Sequence, residues 1–384
     1  LGQVANAKGK FGPMMWAPVF NNLVVIAVFT YFLHISTGWK VTTISNAQAT
    51  WLGIGTTVGF VIQLACLIPV LKQTKIRIRP RFDWRDAEIK KSFHLATWTL
   101  AFAAFSQLSY LVTVNLSTGA AVRALKQGVT TGVGYTPYGN AFLILLLPHS
   151  VVTISIVTAI LPLLSAHAID RKYQEIHDEL LRAIRLVGII TVPSAIAFLL
   201  FGPLITRTLY FGISDGDARY LGLVLSAFAL GLLPLSVNLI VLRGLNAFEN
   251  VKLQVLSNAL MNIVASLVAI VLALVLPARW VTVGLAAALA FSYYIGAWTS
   301  IRLLRRFHIT IKIKEITGLY ARLGFIYGVI AVPLYLVMGR IPLGNTLKLI
   351  FVLAVSGLGY LLLAKTFKIA EVGAAFSLFM RPRH

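Results

Sequence analysis

Apolar runs of about twenty residues recur along this chain, and they constrain its fold more than any other feature. Each run is long enough to cross roughly 30 Å of hydrocarbon as an α-helix. The sequence is 58% hydrophobic and only 12% charged, whereas soluble domains carry about twice that share of charge. A soluble protein with many buried helices would need a polar surface that this composition lacks. The chain is therefore predicted to be an all-α, polytopic membrane protein.

Hydropathy assigns about ten spans to the chain. The fourth and fifth of them exceed the length that a bilayer requires, so we expect them to tilt, bend or extend out of the membrane. The predicted spans are residues 13–36, 48–71, 92–117, 138–168, 182–210, 220–243, 253–276, 280–304, 319–339 and 346–366.

The basic residues are distributed unevenly between the two sides of this predicted membrane protein. If successive connections alternate between sides, most of the 34 Lys and Arg residues fall on one side. Cytoplasmic loops carry such an excess, so that side, which includes the C-terminus, is predicted to be cytoplasmic. The net charge of +22 thus reflects topology and gives no reason to expect nucleic-acid binding. The other side holds Lys40, Arg123, Lys126, Arg207, Arg219, Arg279, Arg340 and Lys348.

Two distant stretches of the chain share a pattern of residues at an offset of 240 positions. Internal repeats of this kind are common in transporters, where the substrate path lies between the halves. The repeat predicts a six-span lobe over residues 92–306 and the remainder of an equivalent lobe over residues 1–71. Because the chain opens on Leu1, we expect three spans and most of a fourth to precede it. The paired positions are Asn6 with Asn246, Ala7 with Ala247, Pro18 with Asn258, and Asn22 with Asn262.

The remaining segments complete the predicted domain organisation. Residues 72–91 form a basic cytoplasmic linker between the lobes, which could also bind anionic lipid headgroups. Residues 307–366 add two spans outside the repeat, and residues 367–384 form a cytoplasmic tail.

The repeated residues resemble the MurJ (MviN) family of bacterial flippases for the peptidoglycan precursor lipid II. The family pattern LNA-x-x-x-F-x-x-x-x-x-x-P-x-x-x-N is matched by Asn6, Ala7, Phe11, Pro18 and Asn22. The phrase that ends its proline-bearing eighth helix is matched by Leu161, Pro162, Leu164 and Ser165. The phrase that ends its tenth helix is matched by Leu242, Arg243, Ala247 and, with a shift of one residue, Glu249.

The resemblance implies both an architecture and a function. It implies fourteen helices in two pseudo-symmetric six-helix lobes plus a final pair, with this chain beginning near the end of helix 4. It implies a non-enzymatic flippase in the bacterial cytoplasmic membrane that works by alternating access without a cofactor. Its substrate would be an undecaprenyl-pyrophosphate-linked cell-wall precursor whose tail stays among the membrane lipids, in a groove that the last two helices form in the family.

The acidic residues and the single cysteine exclude several kinds of site. All 12 Asp and Glu residues fall in connections or in the tail, so a carboxylate proton relay within these spans is not available. No carboxylate pair or histidine cluster suggests a metalloenzyme or a glycosidase. Cys66 stands alone, which excludes disulfides and a cysteine metal cluster. No metal site is predicted.

Neutral polar groups within the spans are the candidate substrate-binding residues. Buried amides and hydroxyls cost free energy unless they are paired, so they should face the protein interior or a wet cavity. Bonding between helices is the competing interpretation for each of them. Arg123 is a further, charged candidate, which lies in an outer connection predicted over residues 118–137. The candidates are Gln107, Asn115, Asn140, His149, Arg123 and Asn22.

Ion-binding and hinge residues are predicted separately. Asn258 and Asn262 could supply oxygens to a sodium site of the kind described in the family, but the absence of a nearby acid argues against sodium coupling. Pro148 and Pro18 each remove a backbone hydrogen bond within a span, and either could act as a hinge or simply shape the packing.

Two other functions are compatible with the sequence. One is export of another lipid-linked oligosaccharide, or drug antiport, within the same superfamily. The other is a non-transporting scaffold that recruits cell-wall synthesis proteins.

Overall fold

The computed structural model describes residues 12–35, 44–73, 87–129, 132–248, 250–367 and 369. Some predictions lie outside these residues. They are the matches at Asn6, Ala7, Phe11 and Glu249, most of the linker 72–91 and most of the tail 367–384.

Most of the described residues are helical, and none of them lies in a strand. The helices of the first half are α1 (Gly12–Ile35), α2 (Asn46–Gln73), α3 (Ala87–Lys126), α4 (Tyr135–Pro148), a π-helical segment (His149–Thr153), α5 (Ile154–Ile169) and α6 (Tyr173–Leu209). Those of the second half are α7 (Asp215–Ala229), α8 (Leu232–Ala247), α9 (Val251–Val275), α10 (Ala278–Leu304), α11 (Ile313–Val337) and α12 (Asn345–Thr366).

The number of membrane spans agrees with the hydropathy prediction. In the described part of the chain, nine continuous helical segments are long and apolar enough to cross a bilayer. The pair α7 and α8, bent by 45°, passes the same test as one broken span. The prediction of an all-α protein with about ten spans is confirmed.

The fourth span is interrupted by the π-helical segment, which directly follows Pro148. Buried residues recur here at four-residue intervals, from Ala141 and Leu145 through His149 and Thr153 to Val157. Four residues turn an α-helix by about 400°, which is about 40° more than one full turn. The wider π-helical turn absorbs part of that excess, so one continuous face of the span stays buried.

The outer connection after the third span is shorter than predicted. A loop was expected over residues 118–137, but α3 continues to Lys126 and α4 begins at Tyr135. Arg123 and Lys126 therefore lie on a helix, and their placement in a flexible loop was wrong. The segment LSTGAAVRALK contains a single glycine and no proline, so local propensity allows the helix to continue.

The chain divides into two compact units, residues 1–85 and residues 86–384. In the first unit α1 packs along α2, and two glycines of α2 permit the close approach. A Cβ on Gly55 would lie 2.8 Å from a methyl of Val28, and one on Gly59 would overlap the amide oxygen of Asn21.

The second unit contains a similar helix crossing between α9 and α10. A Cβ on Gly296 of α10 would lie 3.0 Å from the sulfur of Met261 on α9. Met261 is the residue paired with Asn21 at the offset of 240, so each unit has a glycine against the same position of its own helix pair. The repeat and the predicted lobe boundaries stay predictions.

In the second unit, α6 packs against α7, α8 and α11, while α10 packs against α3, α7, α8 and α9. The crossing of α6 and α7 brings backbone against backbone at two glycines. A Cβ on Gly222 would overlap the backbone of Pro203 and lie 2.8 Å from the carbonyl carbon of Gly202. A Cβ on Gly202 would in turn lie 2.7 Å from the carbonyl oxygen of Gly222.

Buried apolar residues of the second unit form two cores. One core includes Leu145 and Leu232, and the other includes Val157 and Val237. Polar side chains occupy the boundary between them: His149 and Thr153 lie between Leu145 and Val157, and Ser236 lies between Leu232 and Val237. The spans thus carry a hydrogen-bonding layer between two apolar regions.

Candidate functional site

The first polar group of this layer joins the π-helical segment to α8. Nδ1 of His149 lies 3.0 Å from Oγ of Ser236, and the Thr153 hydroxyl donates to the same oxygen at 3.3 Å. His149 is 6% exposed, and the other two residues are fully buried. One serine therefore contacts both ends of the π-helical segment.

A second polar group joins α8 to α9 and α10. The Ser300 hydroxyl donates to Oδ1 of Asn238 at 2.7 Å, and Ser257 lies 2.9 Å from Ser300. The Asn238 amide nitrogen lies 3.9 Å from the sulfur of Met261. Ser236 and Asn238 are two residues apart and so point to different sides of α8, which makes this helix the connection between both groups.

Asn258 and Asn262 hold α9 against α3. The Asn258 amide donates to the Phe102 carbonyl at 3.3 Å and to the Ser106 hydroxyl at 3.1 Å. The Asn262 amide donates to the carbonyl oxygen of Asn258 at 2.9 Å. Among the described residues, no group of three His, Cys, Asp or Glu side chains could hold a metal ion. These contacts account for both amide nitrogens, and the ion site stays a prediction.

Three of the candidate amides have no hydrogen-bond partner within the described residues. Gln107 of α3 and Asn22 of α1 are exposed, and Asn140 of α4 is half-buried. An amide that faced lipid without a partner would be costly. Such side chains are therefore expected to face water, a ligand or further protein.

Aromatic rings fix the position of the helix that carries Asn140. Tyr135 packs edge-on against Tyr110 of α3 with centroids 5.7 Å apart. Tyr138 packs against Phe228 of α7 at 4.9 Å. α4 is thus held from two sides, and Asn140 follows this ring contact by two residues.

Two other candidates already have partners in the protein. The Asn115 amide donates to Leu111 of its own helix at 2.9 Å. Arg123 donates to the carbonyl oxygen of Ala273 at 3.2 Å, which lies in the last turn of α9. A cation at a helix C-terminus is stabilising, so this arginine caps α9.

The predicted hinge residues differ in their surroundings. Pro18 lies within α1, which continues through it without interruption to Ile35. Pro148 lies at the junction of α4 and the π-helical segment. Of the two prolines, Pro148 coincides with a change in helix geometry.

The candidate residues do not form one cluster in the described chain. Apart from the chain neighbours Pro148 and His149, the described side-chain hydrogen bonds join one pair of candidates, Asn262 and Asn258. Sequence reasoning missed Thr153, Ser236, Asn238, Ser257 and Ser300. Asn238 could have been found as an amide within the apolar run LLPLSVNLIV, but serine and threonine are too frequent in spans to stand out.

Comparison with known proteins gives a consistent result at the level of sequence. A family model described as "Lipid II flippase MurJ" matches residues 1–370. A "Probable lipid II flippase MurJ" of Haemophilus influenzae is 25% identical over 262 residues, covering 66% of this chain and 48% of the relative. One of Rhizobium tropici is 28% identical over 302 residues, covering 76% of this chain and 52% of the relative. The chain spans about half the length of the curated relatives it matches.

A solved structure shares the fold. It carries the description "Lipid II flippase MurJ, inward closed conformation" and matches with a TM-score of 0.66 at 19% identity, covering 95% of this chain and 69% of the other. At that identity the match concerns the arrangement of helices.

Proposed function

Because this chain belongs to the MurJ family of lipid II flippases, we propose that it moves the lipid-linked peptidoglycan precursor across the bacterial cytoplasmic membrane. The head group crosses through the protein, and the polyprenyl tail remains among the membrane lipids. No bond of the substrate is broken, so the activity is transport.

The observation that carries this proposal is a set of uncharged polar groups in the spans that keep unused hydrogen-bonding capacity among the described residues. Gln107 and Asn140 offer amides there, and of the His149 ring nitrogens only Nδ1 has a described partner. Sugars and peptides present hydroxyl and amide groups. A neutral amide side chain can both donate hydrogen bonds to these groups and accept hydrogen bonds from them. Asn22 is a further candidate of the same chemistry. Asn115 and Arg123 are weaker candidates because the protein already engages them.

The mechanism that we propose is alternating access with bending at the irregular positions of two spans. The fourth span is continuous but contains a π-helical turn after Pro148, and the sixth is broken between α7 and α8, where the bend is 45°. Helix irregularities of this kind lower the cost of rotating one half of a span against the other. Pro18 is the corresponding candidate in α1. The basic connections support a cytoplasmic C-terminus.

The absence of acids from the predicted spans disfavours drug antiport, because proton-coupled exchange commonly uses intramembrane carboxylates. Export of another lipid-linked oligosaccharide differs from the main proposal only in the sugar. Recruitment of cell-wall synthesis proteins is compatible with transport and would involve the cytoplasmic connections.

Transport of labelled lipid II in vesicles containing the full-length protein tests the proposal. We expect facilitated movement of lipid II, and a reduced rate in Asn140→Leu, which removes a free amide. Leu143→Ala is the matched control, because Leu143 is an exposed apolar residue of the same helix. Absence of transport under every ion gradient and membrane potential would refute the proposal. Normal growth of cells that carry Asn140→Leu, combined with defects from changes in the cytoplasmic connections, would support a scaffold instead.

A further inference from the structure

The π-helical segment of the fourth span places a histidine in a defined hydrogen-bonding position. In the π-helical segment the backbone N–H of Ile154 donates to the carbonyl oxygen of His149, which closes one wide turn. π-Helical segments occur frequently at functional sites. His149 is the first residue of this segment, directly after Pro148.

The hydrogen bonds around Ser236 form a chain in which each hydroxyl donates to the next group. Thr153 donates its proton to Oγ of Ser236 at 3.3 Å. The Ser236 hydroxyl has a single proton of its own, and as a fully buried group it needs an acceptor. Nδ1 of His149, 3.0 Å away, is the acceptor that the described residues offer.

This direction determines the state of the imidazole. A ring nitrogen that accepts a hydrogen bond carries no proton, so the ring is neutral and its proton lies on Nε2. Nε2 has no hydrogen-bond partner among the described residues. It is nevertheless not fully enclosed by protein atoms. Because an N–H facing lipid without a partner would be costly, we expect this N–H to face water or a ligand.

We propose that Ser236 is a positioning residue that holds His149 as the Nε2–H tautomer, so that the ring donates one hydrogen bond to an acceptor oxygen of the transported head group. The assignment deepens the proposed function and rests on it for the identity of the ligand. In this assignment His149 donates a hydrogen bond to the substrate and does not transfer a proton. Sugar hydroxyl, amide carbonyl and phosphate oxygens all supply the required acceptor.

Two substitutions of His149 separate the roles of its ring nitrogens in a lipid II transport assay. In His149→Gln the amide N–H reaches the position of Nε2, whereas in His149→Asn the amide lies near the position of Nδ1. We expect His149→Gln to transport within about threefold of the parent protein and His149→Asn to lose about tenfold, which is the range for one hydrogen bond. Equal losses, or better transport by His149→Asn, would overturn the assignment of Nε2 as the donor.

Nitrogen-15 NMR of histidine-labelled protein in bilayers tests the tautomer without any transport. The chain has 7 histidines, and the signal that disappears in His149→Gln identifies the ring. We expect an unprotonated, hydrogen-bonded Nδ1 and a protonated Nε2. A proton on Nδ1 or a cationic ring would overturn the proposal.

Ser236→Ala completes the test together with a matched control. Loss of the hydroxyl should leave His149 in a mixture of tautomers and lower the transport rate. Ser292→Ala removes an equally buried hydroxyl that donates to Leu289 of its own helix, at 2.7 Å, and it should change neither the tautomer of His149 nor the transport rate. An unchanged imidazole signal in Ser236→Ala would refute the positioning role. A correct tautomer in a protein that moves no lipid II would refute the proposed function alone.

Discussion

Replacing Gly222 by alanine tests the crossing of α6 and α7. The added methyl group would overlap the backbone of Pro203 and approach the Gly202 carbonyl carbon to 2.8 Å. Backbone atoms cannot turn aside as a side chain can, so the two helices must separate. Overpacking of this kind costs about 1–3 kcal/mol, and the rigid contact indicates the upper end. Alanine regains about 1 kcal/mol through its helix propensity, which leaves a net loss of about 2 kcal/mol.

The free energy of unfolding, measured in bilayer discs, provides the assay. Gly328→Ala is the control, since a Cβ at Gly328 of α11 meets no atom within 4 Å. That control should keep or slightly raise the free energy of unfolding, by up to about 1 kcal/mol. If Gly222→Ala proved as stable as Gly328→Ala, the backbone contact described for this crossing would be incorrect.

Two further predictions concern stability in the same assay. Arg123→Gln should lower the free energy of unfolding by about 0.5–1 kcal/mol, because the carbonyl of Ala273 loses its cationic cap. Lys126→Gln is the control, since Lys126 lies one turn away without a described partner, and it should leave the free energy of unfolding unchanged. Equal effects of the two substitutions would contradict capping. Ser300→Ala should cost about 1 kcal/mol by removing a buried hydrogen bond. Thr299→Val should raise stability by about 1 kcal/mol, because the Thr299 hydroxyl is enclosed without a partner among the described residues and its removal relieves that cost. Destabilisation by Thr299→Val would show that this hydroxyl has a partner after all.

The positions of the spans could be predicted because hydropathy is a local property. A run of apolar residues identifies a span regardless of what packs against it. The break between α7 and α8 has a different origin. A Cβ on Gly231 would lie 2.7 Å from Cα of Ala290, so the bend accompanies a close approach to α10, and hydropathy gave one continuous span over residues 220–243.

The candidate site was only partly predictable for the same reason. Amides in apolar runs were recognised as candidates; Gln107 and Asn140 have no side-chain hydrogen bond among the described residues, and their role in binding stays a prediction. The contact between His149 and Ser236 joins residues 87 positions apart, and nothing local to either residue indicates it. The capping role of Arg123 depends likewise on the end of a helix 150 residues further along the chain.

The separation between these polar partners has a consequence for biosynthesis. Chains are made from the N-terminus onwards, so the fourth span enters the membrane before Ser236 has been translated. Asn238 in turn precedes its partner Ser300 by 62 residues. His149 and Asn238 are therefore each synthesised before their hydrogen-bond partners. Both hydrogen bonds can be present only after α10 has been synthesised. A chain released before that point would leave Oδ1 of Asn238 without the hydrogen bond from Ser300.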